Sequence, residues 1–187
     1  SVSAHKINGP RGTGALYVRQ GTPLAPLLHG GAQEDGRRGG TEDVAGIVGF
    51  GQAAKLSRSE MAASQDRLRH LRDRLETGLL AALGNVRVNG APAGRLANTT
   101  NLSIAGAGSE AVLLGLDLEG VAASSGSACS SGESTPSRIL LAMGLAPRSA
   151  ASAVRFSLGW GNTEEDVDWV LAILPGIVRR LRAASAS

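Results

Sequence analysis

The spacing of apolar residues changes twice along the chain, and each change predicts a different kind of element. A short apolar run, Gly14 to Arg19, stands between Gly9, Pro10 and Gly12 on one side and Gly21, Thr22 and Pro23 on the other. Bounded in that way, it predicts a buried strand. A loop rich in Gly, Glu and Arg follows from His29 to Gly40. Thr41, with Glu42 and Asp43 after it and Val44, Ile47, Val48 and Leu56 beyond, predicts a helix that starts at Thr41 and carries acids in its first turn. From Ser57 to Leu83, Met61, Leu68, Leu71, Leu75, Leu79 and Leu83 recur at three- and four-residue steps with Arg and Asp between them. That spacing predicts an amphipathic helix, ended by Gly84 and Asn85.

Beyond Asn85 the segments shorten. Strands are predicted at Val86 to Val88, Thr100 to Ile104, Gly120 to Ala123 and Val154 to Leu158. Between and after them, helices are predicted near Ser109 to Leu116, Pro136 to Met143 and Glu164 to Leu181. Such alternation implies a compact α/β subdomain. Thr163 ahead of Glu164, Glu165 and Asp166 comes close to a capping box, and Pro175 with Gly176 should kink or split the last helix. Gly106-Ala107-Gly108-Ser109-Glu110-Ala111 matches the dinucleotide pattern G-x-G-x-x-A, but no acidic residue stands at a second strand end about 20 positions on, so it reads as a plain strand-to-helix turn.

Composition narrows the function classes. A chain of 187 residues makes one domain or two small ones, and 42% hydrophobic with 19% charged residues is apolar enough to bury a core. No run of about 18 apolar residues and no leader pattern is present, which points to a cytoplasmic protein without a membrane partner. One cysteine excludes an internal disulfide, and His5, His29 and His70 have no metal-ligand spacing, so no metal site is expected. A net charge of +3 with scattered basic residues, and only five aromatics, argue against nucleic acid as the primary ligand. The chain opens on Ser rather than Met, directly in a polar, glycine-punctuated stretch, and reads as a piece of something longer.

Three side chains stand out for their chemistry. Lys6 and Lys55 are the only lysines among 19 basic residues. Where Arg supplies generic charge, a retained Lys suggests a job for an amine, such as capturing a carbonyl as a Schiff base. Lys55, between Ala54 and Leu56, reads as a solvated helix charge. Lys6 lies after Ser3 and His5 and before Gly9 and Gly12, where backbone and a phosphate can approach closely. Cys129, the sole cysteine, is embedded in the Ser/Gly/Ala-rich run from Ser124 to Gly132, which has too little apolar surface to build a core. An exposed thiol on a flexible tether suits a nucleophile that visits one site and delivers to another. Arg155, between Val154 and Phe156, reads either as a paired structural cation or as a bidentate clamp for a substrate carboxylate.

Taken together, four blocks resemble the cysteine desulfurases, in the class V branch of fold-type I pyridoxal-phosphate enzymes. They are Ser3-Ala4-His5-Lys6-Ile7-Asn8-Gly9-Pro10-Arg11-Gly12, the stretch from His29 to Asp43, the run Ser124 to Gly132 around Cys129, and Val154 to Gly159 with Thr163-Glu164-Glu165. Asp43, Asn8 and Gly39 stand where Asn, Tyr and Ser are commoner in that family. The resemblance begins at the lysine, so the family's upstream half, with most of the large-domain sheet, lies outside it. It implies an α/β chain comprising the end of the large cofactor-binding domain and the start of a linking helix (1–58), then a small C-terminal domain with a cysteine loop (59–187).

The resemblance also implies roles. Lys6 is the Schiff-base lysine of pyridoxal 5'-phosphate, Ser3 and His5 are ligands of its phosphate, and Thr41 reaches the phosphate of the other subunit in a homodimer. Arg155 clamps the carboxylate of substrate L-cysteine. Cys129 takes the sulfur as a persulfide and hands it to an acceptor protein, such as an iron-sulfur scaffold, in iron-sulfur cluster assembly or tRNA thiolation. Two alternatives stay open: a non-catalytic, truncated interaction domain, and a related class V enzyme such as a selenocysteine lyase. The isolated 187-residue chain is expected to be inactive, because the family's remaining cofactor contacts lie upstream.

Overall fold

The computed structural model describes residues 1–91, 94–125 and 136–185. The chain divides into two compact units, Ser1–Ala62 and Ala63–Ser187. Among the described residues no helix is long and apolar enough to cross a membrane.

The first unit opens with a two-residue strand, β1 (Val2–Ser3), followed by a 3-10 turn over Ala4–Ile7. Strand β2 (Gly14–Ala15) returns antiparallel to β1, with Val2 opposite Ala15 and Ser3 opposite Gly14. The buried strand expected over Gly14 to Arg19 is therefore two residues long, and Leu16 and Tyr17 are exposed. Its only partner among the described residues is β1, which is itself two residues long and offers no sheet to bury against. A second 3-10 turn, Gln33–Gly36, precedes helix α1 (Val44–Ala82).

Helix α1 starts at Val44 rather than Thr41. The Asp43 carboxylate accepts the Gly46 N–H at 3.0 Å, and the Ile47 N–H bonds to the Asp43 carbonyl at 2.9 Å. Asp43 thus acts as the cap, satisfying a donor that the helix itself cannot. The two helical stretches read from the sequence run together as one element of 39 residues.

The second unit is built on an antiparallel sheet in the order β3-β4-β5: Val86–Val88, Thr99–Ile104 and Ala153–Ser157. Helix α2 (Ser109–Leu118) follows β4, α3 (Arg138–Ala142) and α4 (Pro147–Ala151) precede β5, and α5 (Glu164–Ala184) ends the described chain. Side chains alternate across a strand. Leu102 and Ile104 of β4 and Val154 and Phe156 of β5 therefore share one face, which is buried with Leu71, Leu75, Leu79 and Leu83 of α1, Val112 and Leu116 of α2, and Leu174 and Val178 of α5. Ala153 joins Leu140, Leu145 and Ala150 in a smaller cluster. Beside the main core the Arg95 guanidinium grips Glu76 with two bonds, at 2.6 and 3.1 Å, and buried Arg72 donates to Asp73 and to the Leu96 carbonyl.

Three local differences from the sequence reading have identifiable causes. Gly120 to Ala123 is not a strand: Gly120, at φ 76°, and Val121 send their N–H groups back to Asp117 and Leu116, closing α2 in a Schellman arrangement. Pairing begins only at Ser124, which exchanges N–H···O bonds with Arg155. Pro175 does not split α5, which runs on from Glu164 to Ala184: it is buried in the same apolar stripe as Leu174, Ile177 and Val178, and packing outweighs one lost helix bond. Helix α4, unforeseen in the sequence, is one turn long with Pro147 at its first position, where the missing N–H costs nothing. The capping box at Thr163 forms as expected: Asp166 N–H bonds to the Thr163 hydroxyl, and the Asp166 carboxylate accepts the Thr163 N–H.

Candidate functional site

The lysine segment folds as a tight turn. The Ala4 N–H bonds to the Thr13 carbonyl at 3.0 Å, and the Gly9 N–H bonds back to the Ala4 carbonyl at 2.9 Å. Ala4 is wholly buried and pins the turn from inside. Asn8 ends it in the left-handed region, φ 63°, which Asn tolerates better than most residues. Ser3 is half-buried, while His5 and Lys6 are exposed. One turn thus presents a hydroxyl, an imidazole and an amine within four residues, and among the described residues no carboxylate is paired with Lys6. That donor set fits a ligand with an aldehyde and a phosphate: the amine can capture the first, and the hydroxyl and imidazole can bond the second.

Thr41 lies in the same unit, exposed, three residues ahead of α1. The stretch leading to it is folded back on itself. The Gly39 N–H bonds to the Leu28 carbonyl at 3.1 Å, and the Gly40 N–H bonds to the Gln33 side-chain oxygen at 3.3 Å. A Cβ at Gly39 would stand 2.7 Å from the Gly30 backbone, so glycine at this position has a local reason. Glu34 and Asp35 both adopt left-handed backbone, at φ 51° and 56°. Non-glycine residues enter this region only at an energetic cost, and such strain clusters at functional segments.

Arg155 belongs to the second unit. It is half-buried on β5, and its backbone is fixed on both sides: Asn101 is its cross-strand partner on β4, and Ser124 pairs with it on the other edge at 2.6 and 3.1 Å. The Asn101 side-chain oxygen accepts from Asn89 at 2.6 Å, and Asn89 also reaches the Ser103 hydroxyl at 2.9 Å. Asn89, Asn101 and Ser103 therefore form a polar network beside the Arg155 position, and this network was not legible in the sequence. Cys129 and its neighbours from 126 to 135 lie outside the described residues.

Opposed electrostatic shifts in the second unit mark the Arg95–Glu76 pair. Burial pushes the Glu76 carboxyl up, but the Arg95 hydrogen bonds and the charges of Arg95 and Arg72 together hold it below the ordinary 4.5. Arg95 is raised in turn, chiefly by its hydrogen bonds to Glu76. This pair is a brace between α1 and the segment leading to β4.

Residues 1–170 match the family described as "Aminotransferase class-V". A protein named "Cysteine desulfurase" from Gluconacetobacter diazotrophicus is 50% identical over 185 residues, covering 99% of this chain and 46% of that relative. "Cysteine desulfurase IscS" from Clostridium botulinum (strain Kyoto / Type A2) is 46% identical over 187 residues, covering 99% and 47%. Among solved structures, a "NIFS-LIKE PROTEIN" superposes with a TM-score of 0.80 at 32% identity, over 95% of this chain and 45% of that one. The chain spans about half the length of the curated relatives it matches. The α/β class expected from the sequence is the one these NifS-like, fold-type I neighbours have over the matched half.

Proposed function

The chain belongs to the aminotransferase class-V family, and from that premise we propose that it carries the lysine-bearing half of a cysteine desulfurase, converting L-cysteine to L-alanine and passing the sulfur on. The observation that carries the reading is the exposed turn that offers Ser3, His5 and Lys6 together. It is supported by relatives of that name at close to 50% identity.

In this reading Ser3 and His5 hold the phosphate of pyridoxal 5'-phosphate, Lys6 holds its aldehyde carbon, and Thr41 serves the phosphate of the partner subunit in a homodimer. The cofactor supplies an electron sink for charge developing at the substrate Cα. Arg155 binds the substrate carboxylate through its planar fork, which a Lys ammonium cannot imitate. Lys6, freed when the substrate amine takes its place at that carbon, would remove a proton at Cα. The Cys129 thiolate then attacks the substrate sulfur, forming a new S–S bond as the C–S bond breaks. The bonding pair of C–S passes to Cβ, which takes the proton held by Lys6, and Lys6 then returns to Cα the proton that the Cys129 thiol released on ionising, which completes alanine. Cys129 keeps the sulfur as a persulfide for an acceptor protein such as an iron-sulfur scaffold, in the cytoplasm.

The two central roles are chemically separable, which provides the test. In the protein that joins this chain to the upstream half its relatives have, Lys6→Ala should abolish alanine release from L-cysteine. Cys129→Ser should leave cysteine binding intact and stop persulfide formation on the protein. A persulfide that still formed on the Cys129→Ser protein would refute the assignment, and it would have to lie in the upstream half because this chain has no other cysteine.

A further inference from the structure

Helix α1 is poor in side-chain bulk where the lysine turn lies against it. A Cβ placed on Gly49 would stand 2.6 Å from Cγ of Pro10 and 3.2 Å from its Cδ. A Cβ on Gly46 would collide with the Thr13 hydroxyl and the Asp43 carboxylate, and Gly9 lies so close to Ala53 that its own Cβ would be 3.2 Å from the Ala53 methyl. Gly46, Gly49 and Ala53 fall at steps of three and four, so they share one face of the helix. Above this face the Thr13 hydroxyl donates to the Asp43 carboxylate at 3.4 Å, while the other oxygen of Asp43 caps the helix at Gly46. Thr13 is also the residue whose carbonyl receives the Ala4 N–H. Gly51, on the same helix, meets nothing within 4 Å.

We propose that the first turns of α1 are a seat that positions Lys6: Gly46, Gly49 and Ala53 set how closely the turn approaches, and Asp43 with Thr13 fastens it. Gly49 and Asp43 are positioning residues that act through Pro10 and Thr13, and the functional weight of the seat rests on the reading of Lys6 as the cofactor lysine. Pro10 is a rigid ring, so an added Cβ at Gly49 has to move the backbone that closes the turn.

A pair of identical substitutions separates this from a helix effect. Ala favours helix over Gly at either site, so Gly49→Ala and Gly51→Ala should both stiffen α1, and only the first should disturb the turn. In the 187-residue chain, amide hydrogen exchange at Ala4 and Gly9 should quicken about ten-fold in Gly49→Ala and stay unchanged in Gly51→Ala. Thr13→Val, which removes only the clasp, should quicken the same amides by about three- to ten-fold while Gly46 and Ile47 stay protected. Incubation with pyridoxal 5'-phosphate, borohydride reduction and peptide mapping should give less label on Lys6 in Gly49→Ala than in Gly51→Ala. Equal exchange in the two glycine variants, or unprotected Ala4 and Gly9 in the unaltered chain, would overturn the seat. Label on Lys6 no greater than on Lys55 in the unaltered chain, with the exchange contrast intact, would instead overturn the reading of Lys6.

Discussion

The leading and trailing stretches of α1 carry the same three- and four-residue apolar spacing and meet opposite fates. In the leading stretch Val44 and Val48 are each 66% exposed, and Ile47 and Leu56 are exposed as well. In the trailing stretch Leu75 is 1% and Leu79 0% exposed, packed with β4, β5 and α5. Spacing reports that a helix has an apolar face, and it does not report what covers that face. Coverage comes from tertiary partners, which the second unit supplies for itself.

The sharpest way to break this contrast is to truncate a side chain on each stretch. Leu75→Ala should cost about 2–5 kcal/mol in a urea melt, the lost burial plus a cavity. Val48→Ala should stay within about 0.5 kcal/mol. Comparable losses at the two positions would show that the leading stretch is buried in solution.

Next in size is the Arg95–Glu76 brace. Glu76→Gln should destabilise the second unit by about 1.5–3 kcal/mol, the worth of hydrogen bonds to a charged group. The folded Glu76 value lies below 4.5, so its stabilisation is complete above that pH and is lost as the pH falls through the lowered value. Melts of the unaltered chain and of Glu76→Gln should therefore converge in acid, and parallel curves would remove Glu76 as the cause. The smallest effect belongs to the α5 cap: Thr163→Ala should cost about 1 kcal/mol and speed exchange in the first turn of α5 alone.

Elements whose cause is local were legible in the sequence. The strand Val86–Val88, the capping box at Thr163 and the start of α2 at Ser109 stand where propensity and capping residues put them. Two of the misreadings fall where a distant partner decides. Among the described residues Gly14 to Arg19 has only the two-residue β1 to pair with, and burial offsets the helix-breaking tendency of Pro175. At the candidate site the turn holding Ser3, His5 and Lys6 was readable as a motif. The Asp43–Thr13 clasp was not, although an Asp directly before a helical pattern is an N-cap signal. Asn89 and Asn101 belong to sequence segments 12 residues apart and meet only when β3 and β4 pair.

The turn after β5 shows how late some of this structure must form. Arg67 of α1 gathers three carbonyls of that turn, Asn162 at 2.7 Å, Trp160 at 2.8 Å and Gly159 at 3.3 Å. A guanidinium fork can do this, and an ammonium has no comparable geometry. The contacts join residues 92 to 95 positions apart. Closing so long a loop requires the intervening chain to surrender its freedom first. The path by which the chain leaves β5 and enters α5 is therefore written on a different helix and is read only after most of the second unit has assembled. Removing the Arg67 fork should raise the unfolding rate and leave the folding rate nearly unchanged, the kinetic mark of a contact absent from the transition state.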